Sequence, residues 1–145
     1  MAAPFDLDRF VLSQDPVIAQ ARAELRAGRK ATHWMWFVFP QLAGLGFSRR
    51  AQLYAIASLD EAKAYLAHPV LGRRLAECTD LVNVVQGRTA YDIFGSPDDL
   101  KFHSSMTLFS LADPGEPAFG TALAKYFGGS QDRRTLELLG RGDGD

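Results

Sequence analysis

One cysteine is present, Cys78. A single thiol forms no intrachain disulfide, and none of the cysteine-based zinc spacings occurs. Charge of one sign is missing as well: sixteen Lys and Arg stand against seventeen Asp and Glu, a formal net charge of -1. Nothing in that balance draws the chain to nucleic acid or to an anionic membrane surface, so neither partner is expected. The basic pairs Arg29-Lys30 and Arg49-Arg50 read as solvated surface charges. Long apolar runs are also lacking. The stretch 31–48 carries no formal charge, but His33, Pro40, Gln41, Gly44 and Gly46 interrupt it and its unbroken apolar part is only 34–39. A spanning helix needs ~20 such residues. The first residues hold no basic segment followed by an apolar one, so no signal peptide is expected and a cytoplasmic location is.

Catalytic signatures are equally scarce. His33, His68 and His103 are far apart and none belongs to a His-x-x-x-His pair, so no metal site is expected. There is no serine-centred elbow and no nucleotide-binding loop, and no motif implies a cofactor. The adjacent acids Asp98-Asp99 are better explained as first-turn helix charges than as a catalytic pair.

What is present is an ordinary globular composition, 47% hydrophobic and 23% charged over 145 residues. That supplies enough apolar surface to offset chain entropy in one domain. The expected division is a single globular domain over 1–139 and a flexible tail over 140–145.

Helix signals recur along that domain. Residues 5–13 place Leu7, Phe10 and Val11 at one-face spacing. Asp15-Pro16 suits an N-cap followed by a first helical position, with the stripe Ile18, Ala21, Leu25 ending at Gly28. Ser58-Leu-Asp-Glu61 matches a capping box. After Pro69, the residues Leu71, Leu75, Cys78, Val82 and Val85 recur every three or four positions up to Gly87, which makes Cys78 a packing residue. Ser96-Pro97 is expected to open a helix running to Ala112. Pro117 opens another that stops at Gly128-Gly129, and Asp132 caps a last one. No hairpin pattern or repeat appears. Only 34–39 is ambiguous, because aromatics and Val suit a buried strand and a buried helix alike. Thr32 as an N-cap favours helix, so the expected fold is all-α, with a minor strand at 34–39 as the alternative.

Three blocks carry a resemblance. They are Gly28-Arg-Lys30 leading into His33-Trp-Met-Trp-Phe-Val-Phe-Pro-Gln41 with Gly44-Leu-Gly46, then Glu61-Ala-x-Ala-Tyr-Leu-x-His-Pro-x-Leu-Gly72, and Phe94-Gly-x-Pro-Asp-x-x-Lys-x-x-Ser-Ser-Met-Thr-Leu-Phe109. Lys125-Tyr-Phe-Gly128 fits with them. Together they resemble a family of small bacterial and fungal proteins of unknown function, some of which carry the label calpastatin. The resemblance implies a mainly helical fold and no known activity. The label conflicts with physics: a calpain inhibitor of that kind is a disordered polar chain, whereas this one has a core to bury.

Chemistry is expected in three places. On a wheel of about 100° per residue, Asp99, His103 and Ser110 share the solvent side of the 97–112 helix. Lys101, Ser104 and Ser105 sit toward the face that holds Phe102 and Phe109. A lysine so placed must pair, snorkel or meet a ligand. The second place is the aromatic block, where Trp36 with His33 and Gln41 offers a ring platform and polar groups. The third is Gly44-Leu-Gly46, whose backbone amides can crowd an anion, although a plain turn capped by Ser48 explains it equally.

The function expected from these features is binding, or acting on, a small anionic metabolite of nucleotide or sugar-phosphate type. His33, Lys101 and Ser105 are the candidate catalytic groups. Trp36, Gln41, Gly44, Gly46 and Ser104 are the candidate ligand contacts. The alternative is a non-catalytic protein-interaction module with an aromatic groove.

Overall fold

The computed structural model describes residues 5–140. The described residues form ten helices: α1 (Asp8–Gln14), α2 (Ile18–Arg26), α3 (Met35–Val38), α4 (Arg49–Leu53), α5 (Leu59–Ala67), α6 (Leu71–Asn83), α7 (Ala90–Phe94), α8 (Asp98–Ala112), α9 (Pro117–Phe127) and α10 (Arg133–Leu138). The fold is all-α. Extended pairing among the described residues is limited to one isolated bridge between Leu42 and Ile56. It ties the loop before α4 to the loop after it. The expected tail lies, apart from Gly140, outside the described residues.

Many of the local signals do what their chemistry requires. The Ser48, Ser58 and Asp132 side chains cap α4, α5 and α10 by accepting from the backbone N–H three residues on. Gly28 and Gly128 leave α2 and α9 with φ of 73° and 61°, which L side chains adopt only with strain. The stripe of α6 buries Leu71, Leu75, Cys78 and Val82 as its spacing predicts, with Val85 half-buried beyond the helix end.

Other signals are overridden. Asp15 is the C-cap of α1, not the N-cap of α2. Its carboxylate is drawn instead to Arg74 Nη2 at 2.8 Å. Glu61 does not close a capping box on Ser58, because its carboxylate accepts from Ala57 N at 2.7 Å and pairs with Arg9 at 3.0 Å. Ser96 caps nothing, and α8 begins after Pro97 with no side-chain cap. Residues 34–39 contain the helix α3, but Trp34 holds the N-cap position and Thr32 Oγ1 donates to Glu24 Oε2 at 2.6 Å. A tertiary partner has outcompeted the cap. Helix α7 has a complete capping box, Thr89 with Asp92. Its five residues are too short to show helical periodicity, so the pattern reading passes over it.

Helix α8 is the centre of the molecule, packed by α5, α7, α9 and α10. It buries Phe102 and the unbroken run Ser104, Ser105, Met106, Thr107, Leu108 and Phe109. A helix enclosed on most sides has little solvent face, which corrects the two-sided expectation. Asp99, His103 and Ser110 are half-buried. His103 stacks on Phe127 at 4.0 Å between ring centroids and hydrogen-bonds through Nε2 to the Ser130 carbonyl at 2.7 Å. Aromatic contacts join α3, α7 and α8: Phe39 meets Phe102 edge-on at 5.1 Å, and Phe94 stacks on Phe102 at 4.6 Å. No helix of the described residues is long and apolar enough to cross a membrane.

Candidate functional site

The site begins with a buried carboxylate. Glu24, on α2, accepts from Ala31 N (2.7 Å), Thr32 N (3.0 Å), Thr32 Oγ1 (2.6 Å), Trp34 Nε1 (3.0 Å) and Gln20 Nε2 (2.9 Å). Burial raises its pKa, but the hydrogen bonds from Thr32, Ala31 and Gln20 outweigh that and hold it at about 2. This node fixes the chain entering α3. Trp34 then points into the core, while Trp36, two residues on, is left half-buried.

Trp36 forms part of a cavity of about 440 Å³, together with Gln41 from the following loop. Pro97, Leu100, Lys101 and Ser104 of α8 and its N-cap line it as well. Leu45, Gly46, Phe47, Ser48 and Ala51 contribute from the loop and start of α4, and Asp132 and Arg134 from α10 and its cap. A volume in the range of roughly 300–1,000 Å³ is usual for a small-molecule site.

Cations surround the indole. Lys101 Nζ lies 5.1 Å from the Trp36 ring centroid and Arg50 Cζ 5.0 Å from it. Lys101 also reaches Asp98 Oδ1 at 3.3 Å, while Lys30 takes Asp98 Oδ2 at 2.9 Å. One carboxylate is thus shared by two lysines, and Lys30 Nζ in turn lies 5.1 Å from the Trp34 ring centroid. The carboxylate in the lining itself, Asp132, accepts from Thr135 N and Oγ1 at 3.0 and 2.7 Å. Arg134 has no ion-pair partner among the described residues. Ser104 Oγ is 2.6 Å from Gln41 Oε1 and 3.0 Å from the Lys101 carbonyl, so its single proton serves one of them at a time. Lysine, indole, amide and hydroxyl are therefore held together against one open space.

Of the residues singled out by the sequence, Trp36, Gln41, Gly46, Lys101 and Ser104 line this cavity; His33, Gly44 and Ser105 do not. His33 is exposed, because Thr32 and Trp34 on either side of it are both held by Glu24. Ser105 is wholly buried and its Oγ has no hydrogen-bond partner. The cavity stripe on α8 is 97, 100, 101, 104, and about 100° per residue carries Ser105 past Lys101 to the core side. The two glycines have geometric causes. Gly44 has φ 100°, and a Cβ at Gly46 would stand 2.7 Å from Ala51 Cβ. Since Ser48 already caps α4, the turn is explained without a bound anion.

Arg134, Phe47 and Leu100 escaped the sequence reading, while Lys30 and Arg50 were read as solvated surface charges and Asp98 as a first-turn acid. Each looks like ordinary surface when read locally.

Comparison with known proteins supplies relationship without activity. The chain is similar to the crystal structure of the conserved hypothetical protein Rv1873 from Mycobacterium tuberculosis, with 61% sequence identity and a TM-score of 0.94. The match covers 95% of this chain and 99% of that one. A search of curated proteins finds no match. Residues 4–139 match the family model described as "Protein of unknown function (DUF1810)". With nearly its whole length matched, the chain belongs to that family.

Proposed function

We propose that the domain binds a small anionic metabolite of nucleotide or sugar-phosphate type in the cavity beside Trp36. The observation that carries this reading is the Trp36 ring with Lys101 and Arg50 each about 5 Å from its centroid. Two cations against one indole ring, with Arg134 in the lining of the cavity, make a local field that favours an anion although the chain as a whole is nearly neutral. Lys101 and Arg134 take the charge, Trp36 is the platform, and the Gln41–Ser104 pair orients polar groups. The reading is one of binding. His33 and Ser105 lie away from the cavity, so no acid–base role is assigned to them.

Thermal melts with a panel of nucleoside monophosphates, sugar phosphates and inorganic phosphate test it. A ligand that binds only the folded state stabilises it by about 2.7 kcal/mol at a hundred times its Kd. The expected result is a rise in Tm with at least one anion, lost in Trp36→Leu. No rise with any of them at millimolar concentration removes the proposal.

A further inference from the structure

We infer that the ligand is a nucleoside monophosphate rather than a sugar phosphate: a planar ring joined to one anionic group. This rests on the reading of the cavity as an anion site and adds the second half of the ligand. Two large apolar side chains of the lining face water. Phe47 is 78% exposed and Leu100 62% exposed. Neither is among the residues packed against the hydrophobic core. Single exposed apolar residues are ordinary, but here two from separate elements meet at one cavity that also holds a half-buried tryptophan.

The polar groups are arranged for such a ligand as well. No protein acceptor among the described residues takes the Gln41 Nε2 protons, although the Gln41 side-chain oxygen Oε1 is engaged by Ser104. That amide suits the edge of a heterocycle stacked on Trp36. Cationic groups of Lys101 and Arg134 suit its phosphate. A sugar phosphate fits worse. It presents hydroxyl-bearing faces to Trp36, Leu45, Phe47, Pro97 and Leu100, whereas the ribose of a mononucleotide can keep its hydroxyls toward water or the polar side chains of the lining. A base, by contrast, covers apolar surface and stacks on rings whatever its identity. The cavity of about 440 Å³ has room for a mononucleotide.

Calorimetric titration of AMP, GMP, CMP, UMP, adenosine, ribose 5-phosphate and inorganic phosphate into the wild type, Phe47→Ala, Leu100→Ala and Arg134→Gln tests the inference. All three substitutions are at exposed side chains, and matching melts establish that each variant is folded. The expected result is that at least one nucleoside monophosphate binds about tenfold or more tighter than ribose 5-phosphate, a difference typical of one stacked base. Phe47→Ala or Leu100→Ala then removes most of that advantage and leaves ribose 5-phosphate unchanged, while Arg134→Gln weakens both. If ribose 5-phosphate binds as tightly as the nucleotides, or both apolar truncations leave the nucleotides unaffected, the ring is wrong and the anion site stands. If nucleotides, ribose 5-phosphate and phosphate all fail to bind, or adenosine binds as well as AMP, the anion site falls and the inference falls with it.

Discussion

The indole N–H of Trp34 donates to Glu24 Oε1 at 3.0 Å, with both side chains at most 5% exposed. Ten positions apart in sequence, these two residues decide how the 29–36 segment is oriented. Trp34 is pulled inward, His33 is left outside, and Trp36 comes to the cavity. A buried carboxylate satisfied by five donors is stable only while it is ionised and all of them are present.

The first prediction follows from that carboxylate. The folded-state pKa of Glu24 is held at about 2 against an ordinary value of 4.5. Its contribution is therefore complete above pH 4.5 and is lost as the pH falls from there toward 2. The difference corresponds to about 3 kcal/mol, at about 1.36 kcal/mol per pH unit. Urea melts from pH 7 to 2.5 measure it. Glu24→Gln should be less stable at neutral pH and should show a flatter acid limb than the wild type.

A second concerns Lys101. Its ammonium is 3.3 Å from Asp98, but Lys30 holds the same carboxylate at 2.9 Å. Lys101→Met keeps the apolar stem and leaves Asp98 paired, so the stability change should stay within about 1 kcal/mol. Binding of an anion in the cavity should be lost. Paired melts of wild type and variant, each with and without AMP, read both effects. Equal ligand-induced shifts in the two proteins would place Lys101 outside the site.

Asp98→Asn should act in opposite directions on folding and on binding. Lys30, whose side chain is 8% exposed, loses its only ion-pair partner among the described residues, at a cost of about 1–3 kcal/mol. Lys101 is released from the same carboxylate, and the cavity becomes more positive. Titration with AMP should show tighter binding in a protein that melts lower. Weaker binding would mean that Asp98 holds Lys101 in place rather than competing with the ligand.

Cys78 gives the fourth. The thiol is fully buried, and burial pushes its pKa up to about 12. A thiol reagent at pH 8 should label the native protein only at the rate of global unfolding, and quickly in urea. Cys78→Asp should cost several kcal/mol, on the order of 3–5, because it leaves an unpaired carboxylate in the α6 interface. Fast native labelling would show that this face opens without unfolding.

Local chemistry made most of the helices legible from sequence. Ser58, Pro117 and Asp132 mark starts, and Gly28 and Gly128 mark stops, because caps and positive φ involve residues within one turn of each other. The α6 stripe was legible for the same reason: its period is a property of a single helix. Signals failed where a distant partner offered more. Arg74 took Asp15, Arg9 took part of Glu61, and Glu24 took Thr32. The cavity belongs almost entirely to that second class. Ser104 meets Gln41 across 63 positions of sequence, and the choice of Ser104 over Ser105 depends on a fraction of a helical turn set by how α8 packs. Sequence alone determined which residue types were available to bind an anion. Tertiary packing decided which of them share a space, because side-chain direction in an enclosed helix is set by its neighbours on every side.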